Sequence, residues 1–162
     1  MTTRQYNQCV DEHADGLYRF ILKNVRDEEA ARDVVQDAFT KMWEKRDQVD
    51  GNKAKSYLFT AGYHTMIDYI RKQKRILGVD GEAEKQAHPE LGSYSDLQEV
   101  LHEALETLSE VQKSVLLLRD YEGYSYKEIG DIVGLNESQV KVYIYRARVA
   151  MKKYIGSIEM VI

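Results

Sequence analysis

Ser138, Gln139, Lys141, Val142, Tyr143, Tyr145 and Arg146 lie within two turns of one helical segment, and most of them share one side of it. They offer hydrogen-bond donors, two cations and one outward methyl-bearing surface. Arginine and lysine pair with guanine edges or phosphates, and an outward valine can meet a thymine methyl, so this face suits the major groove of a duplex. Arg148, Lys152 and Lys153 flank it as candidates for phosphate contacts. Val140, Ile144, Ala147 and Met151 recur at intervals of four and three on the other side, which is the pattern of a buried face. A basic helix face is commonly just solvated. Two details favour a polyanion: Val142 points outward with no core to fill, and residues 137–162 hold five Lys/Arg against two Asp/Glu.

Two helices and a tight turn must hold that face. Ser125 and Glu128 have capping-box spacing and open the first helix, which gains a short apolar face from Ile129, Ile132 and Val133. Gly134 ends it by accepting a left-handed conformation. Asn136 with Gln139 opens the second helix by the same box. The sequence therefore predicts a helix-turn-helix.

Further basic chemistry lies upstream. A helix predicted from about Ser56 to Lys74 carries Leu58, Ala61, Met66, Ile67 and Ile70 together with Tyr57, Phe59, Tyr63 and Tyr69, and runs into Arg71, Lys72 and Arg75. Aromatic rings among cations suit stacking on unpaired bases. Taken alone, the favoured reading is that the rings are core and the cations complement the helix dipole. Residues 51–76 hold six Lys/Arg against one Asp/Glu, whereas residues 77–112 hold one against nine. Two basic segments separated by an acidic one would grip a polyanion at two places.

The remaining elements read as follows. A helix over 4–24 has Val10, Leu17, Tyr18, Ile21 and Leu22 as core. Asp27 caps the next, which runs to about Arg46 and buries Ala31, Val34, Val35, Ala38, Met42 and Trp43. Asp33, Gln36, Asp37, Thr40 and Glu44 share another face of it, either a solvated stripe or a docking surface for a basic partner. Asp47 to Lys53 is a polar turn. Residues 78–95, with several Gly and the chain's only Pro, predict an acidic flexible linker between residues 1–77 and 96–162. Leu97, Val100, Leu101, Ala104, Leu105 and Leu108 form the next stripe, and Ser109 with Gln112 opens a helix to about Asp120.

With 162 residues, 43% hydrophobic, and helix formers dominant, the chain predicts an all-α fold of two small helical domains joined by that linker, the C-terminal one carrying the helix-turn-helix. No apolar run reaches the ~18 residues of a membrane span, and no signal peptide opens the chain, which predicts a cytoplasmic protein without membrane insertion. Cys9 is the only cysteine, and the four His lack ligand spacing, so neither a metal nor any other cofactor is expected. No nucleophile–base set or Gly-rich phosphate loop suggests an enzyme, and no catalytic residue is assigned.

The order of these parts resembles an RNA polymerase sigma factor of the sigma-70 family, in the small extracytoplasmic-function (ECF) group. Ala31 to Trp43 resembles the region 2 helix that grips the polymerase clamp. Ser56 to Arg75 resembles the −10 helix, and Leu108 to Tyr154 resembles region 4, which reads the −35 element. The resemblance implies that Asp33, Gln36, Asp37 and Phe39 dock on the clamp of the largest subunit, with a further contact to the flap of the second-largest. It implies −10 contacts by Tyr57, His64, Arg71, Lys72 and Arg75, and a base-capturing turn at Asp50, Gly51, Asn52 and Lys53. It places Ser138, Gln139, Lys141, Val142, Tyr143, Tyr145, Arg146 and Arg148 at the −35 element. His64 stands where many members have Asn, Tyr57 replaces the usual Trp, and Tyr143 stands where Arg is frequent. Promoter DNA, core polymerase and an anti-sigma factor are the partners implied.

Two other readings stay open from sequence. One is a dimeric regulator that binds an operator without polymerase, which leaves the acidic stripe idle. The other is a sigma mimic that titrates an anti-sigma protein, which has no use for Lys141 and Arg146.

Overall fold

The computed structural model describes residues 1–78 and 93–161, with side chains described for 1–78 and 96–157. Most of the expected linker therefore lies outside the described residues. Seven α-helices and no strand occur among the described residues: α1 (Thr3–Val25), α2 (Glu28–Glu44), α3 (Ala54–Leu77), α4 (Ser93–Glu106), α5 (Glu110–Leu116), α6 (Tyr126–Val133) and α7 (Glu137–Val161).

Local chemistry sets most boundaries. Thr2 and Gln5 cap α1 reciprocally, and Asp27 accepts from the Ala30 amide to open α2. Two single-turn 3-10 helices, Arg46–Gln48 and Gly51–Lys53, follow α2. Its α-helical hydrogen bonding thus stops at Glu44, short of the expected Arg46. Helix α3 is longer at both ends than its apolar spacing suggested, and α4 starts at Ser93, inside the stretch read as linker, because Asp96 supports its first turn.

Helices α1–α3 pack on one another around Leu17, Phe20, Ile21, Val34, Ala38, Met42, Leu58, Phe59 and Met66. Phe20 and Cys9 belong to this core although the spacing did not single them out, while Val10, Tyr18 and Leu22 lie at its margin. Trp43, expected to be buried, is 37% exposed: Tyr6 meets it edge-on at 4.9 Å, and the Arg46 guanidinium stacks 3.8 Å from its ring. The second group, α4–α7, packs around Leu105, Val115, Leu117, Leu118, Ile129, Ile132, Val140, Ile144 and Ala147.

After α5 the chain widens into a π-helical turn, Leu117–Tyr121, in which the Glu122 amide reaches back to the Leu117 carbonyl. This turn carries Glu122 and Tyr124 against α1 and α3, so the two groups meet along a seam. There Phe59 and Tyr124 stand edge-to-face with centroids 5.0 Å apart.

Candidate nucleic-acid and polymerase interfaces

The helix-turn-helix is built as its capping residues require. Ser125 and Glu128 exchange hydrogen bonds at 3.1 and 3.0 Å, and Asn136 and Gln139 do the same at 2.8 and 3.0 Å. Gly134 has φ +79°, and the amides of Gly134 and Leu135 both close on the Gly130 carbonyl, ending α6 in one turn. Gly130 is a second requirement that spacing alone did not reveal: a Cβ there would lie 2.4 Å from the Leu135 carbonyl oxygen. Val140, Ile144 and Ala147 are buried and Met151 half-buried, which fixes the rotation of α7.

That rotation turns Ser138, Gln139, Lys141, Val142, Tyr145 and Arg146 into solvent, while Tyr143 is half-buried. Val142 and Tyr145 are 45% and 69% exposed, large apolar surface on an otherwise polar face. The Tyr126 ring lies between two cations, Arg119 at 4.3 Å and Lys141 at 5.4 Å. Arg148 is held in a two-point pair by Asp120 of the π-turn, which raises its pKa through that hydrogen bond. The structure thus separates Arg148 from the open cations of α7.

On α3, Phe59, Gly62, Tyr63 and Met66 face inward, as the core reading of the rings held, whereas His64, Arg71, Lys72 and Arg75 are exposed. Burial, and secondarily Glu110, raises the Tyr63 pKa. Tyr57 instead lines an open pocket of about 520 Å³ with Lys45, Gln48, Val49, Asp50, Lys53, Ser56 and Thr60. Asp50 and Lys53 line it from the turn, and the Asp50 carboxylate accepts from the Asn52 amide at 3.0 Å, whereas Gly51 and Asn52 of the same turn do not line it. Ser56 and Thr60 belong to this pocket although only Tyr57 and the turn were singled out. Their three- and four-residue spacing from Lys53 and from one another was the available signal.

Asp33, Gln36 and Asp37 are exposed along α2, and Phe39 is half-buried against the α1–α3 core. Asp33 and Asp37 border a smaller groove with Ala30, Val34, Thr65 and Tyr69. The Phe39 carbonyl accepts from the Tyr6 hydroxyl at 3.1 Å, which ties this face to α1. Among the described residues no group of three or more His, Cys, Asp or Glu side chains could hold a metal, and no helix is long and apolar enough to cross a membrane.

Two family models divide the chain as these faces do. The sigma-70 region 2 model matches residues 9–76 and the sigma-70 region 4 model matches residues 98–151. RNA polymerase sigma factor SigV of Bacillus subtilis is 32% identical over 146 residues, 89% of this chain and 87% of that one. The chain belongs to the sigma-70 family. Within it, the ECF sigma factor SigM of B. subtilis is 26% identical over 86% of this chain and 88% of its own. The sigma factor RpoE of Bartonella quintana, solved with the anti-sigma factor NepR, superposes with a TM-score of 0.77 at 26% identity, covering 95% of this chain and 98% of that one. This ECF sigma factor is accordingly a promoter-recognising, non-catalytic subunit of RNA polymerase.

Proposed function

We propose that this sigma factor divides its work between three faces. Asp33, Gln36, Asp37 and Phe39 dock on the clamp of the largest polymerase subunit, and the C-terminal group meets the flap of the second-largest. The pocket around Tyr57 and Lys53 takes a base displaced from the −10 element, with Gly51 and Asn52 in the turn beside it. His64, Arg71, Lys72 and Arg75 follow the strand along α3. Stacking plus backbone neutralisation stabilises an opened strand without fuel. Ser138, Gln139, Lys141, Val142, Tyr143, Tyr145 and Arg146 address the −35 major groove, with Arg148 beside them as a phosphate contact that its pair with Asp120 suppresses.

The observation that carries this reading is the pairing of an open pocket lined by Tyr57, between the start of α3 and the turn before it, with an outward apolar-and-cationic face on α7. A bidentate base contact contributes about 1–3 kcal/mol, so each face alone binds weakly and polymerase supplies avidity. The likeness to a sigma factor solved with the anti-sigma factor NepR supports an anti-sigma partner. A cytoplasmic location is part of the same reading, since a polymerase subunit works where polymerase does.

Run-off transcription with purified core polymerase tests the proposal. Specific transcripts from genomic fragments are expected with chain and core together. Equal promoter affinity with and without core would instead favour a free-standing regulator.

A further inference from the structure

We propose that Tyr126 is a positioning residue for promoter reading: its ring holds the Lys141 ammonium in place on the −35 face without consuming its charge. The role in reading rests on the −35 assignment above, whereas the ring contact stands on geometry alone.

Tyr126 is the first residue of α6, and the Ser125–Glu128 capping box fixes the backbone on either side of it. Four residues on, along the same helix face, Gly130 lets α6 come up against the start of α7. A Cβ at Gly130 would collide with the Leu135 carbonyl oxygen and would meet Val140 at 3.6 Å. Val140 is buried, and the next residue, Lys141, is exposed. The half-buried Tyr126 ring thereby reaches across to α7, with Lys141 Nζ 5.4 Å from its centroid. That separation is inside the range over which an aromatic face attracts an ammonium.

The ring is itself braced. The Arg119 guanidinium lies 4.3 Å from its centroid, and Arg119 Nη1 donates to the Tyr124 carbonyl at 2.9 Å, so this second cation is anchored to backbone. Arg119 and Asp120 are neighbours in the π-turn with opposite consequences for α7. Asp120 pairs with Arg148, whereas Arg119 steadies the ring that meets Lys141.

A carboxylate and a ring restrain a cation differently. Asp120 occupies donors of Arg148 at two points and offsets its charge. An aromatic face leaves an ammonium fully charged, with donors still open to guanine O6 and N7 or to a phosphate. Lysine gives up much rotamer freedom when it binds, and a side chain already narrowed in the free protein gives up less. Tyr126 thus lowers the ordering cost of Lys141 and keeps it available to DNA.

Tyr126 also packs against the core, so the test separates the electrostatics of the ring from its packing. It uses the full chain, free and bound to core polymerase. In the free chain, carbon–proton correlation spectra should show the Lys141 ε-methylene upfield of the other lysines, displaced by the ring current; Lys141→Met assigns the signal. Tyr126→Leu should return it to the common position, and Tyr126→Phe should keep it displaced. For binding, the probe is the duplex that wild-type holoenzyme recovers from a random-sequence pool, with affinity read by anisotropy. Lys141→Met should weaken binding about tenfold and Tyr126→Leu about threefold, with Tyr126→Phe within about twofold of wild type. Trifluorophenylalanine in place of Tyr126 keeps a ring of similar shape but withdraws its negative face, so it too should lose about threefold. In Lys141→Met protein neither change at Tyr126 should cost anything further.

A wild-type Lys141 methylene level with the other lysines overturns the ring contact. A loss on Tyr126→Leu that persists in Lys141→Met protein, or a trifluorinated ring that binds as well as Tyr126→Phe, makes Tyr126 a packing residue and overturns the positioning, with the −35 assignment intact. Lys141→Met binding as tightly as wild type would instead remove Lys141 from the −35 reading and the positioning with it, while the methylene still reports the ring contact.

Discussion

Arg148 and Asp120 form a two-point ion pair, with Nε donating to one carboxylate oxygen at 3.2 Å and Nη2 to the other at 2.5 Å. It joins α7 to the π-turn between α5 and α6, and it holds back one cation of the face proposed to read the −35 element. Such a half-exposed pair contributes little to stability, so its consequence lies in binding.

Asp120→Ala frees Arg148 for phosphate. The salt dependence of −35 duplex binding should steepen by about 0.9 in log–log slope, one counterion's worth, with affinity rising at low salt. Fluorescence anisotropy across a salt series measures it. An unchanged slope would leave Arg148 outside the DNA contact.

Asp37 lies 3.2 Å from Lys41, which also donates to Thr65 of α3 at 2.9 Å. Asp37→Lys should weaken core-polymerase binding about tenfold, roughly 1.4 kcal/mol, while −35 duplex binding stays as in wild type. Parallel binding curves for core and for duplex decide it; equal loss of both would contradict separate faces.

Gly130→Ala and Gly156→Ala should act in opposite directions. The first drives a Cβ into the Leu135 backbone at 2.4 Å and should cost about 2–4 kcal/mol by straining the helix-turn-helix. The second meets nothing within 4 Å inside α7 and should gain roughly 0.5–1 kcal/mol. Chemical denaturation of each variant separates them.

Stability should fall with acid in two steps. Burial, then the positive charges of Arg26, Lys23 and Lys113 outweighing Glu99, lowers the His102 pKa. The unfolded chain therefore binds that proton first, and stability present above about pH 6.5 is lost as pH falls toward the folded value. The Lys55 hydrogen bond, then the Ser125 amide, lowers the Glu128 pKa below 4.5. That contribution is present above 4.5 and disappears as pH falls through the depressed value. His13, also lowered by burial, adds to the first step. Urea midpoints from pH 7.5 to 3.5 measure both steps: His102→Gln should flatten the upper one, and Glu128→Gln, which can keep the capping box, should flatten the lower.

The helices and caps were legible in the sequence because their causes are local. Ser125–Glu128, Asn136–Gln139 and Gly134 each act within a few residues, and the burial of Val140, Ile144 and Ala147 follows from helical spacing. Trp43 was misassigned because its position on the helix fits a core face, whereas Tyr6 and Arg46, which it meets, come from other elements. Ser56 and Thr60 were legible in principle but carried no charge or ring to draw notice beside Tyr57.

By itself the sequence determined that this is an all-helical chain with two cationic helices and a helix-turn-helix, since periodicity and capping are properties of neighbouring residues. Only the tertiary structure decided which cations meet carboxylates. Arg148, Lys55, Arg19 and Lys113 look alike in sequence to Lys141, Arg146 and Arg71, yet the first four meet Asp120, Glu128, Glu122 and Glu106. For Lys55 and Arg19 those partners lie in the other half of the chain. Pairing of charges so far apart along the backbone depends on how the helices stack, and no local pattern encodes that.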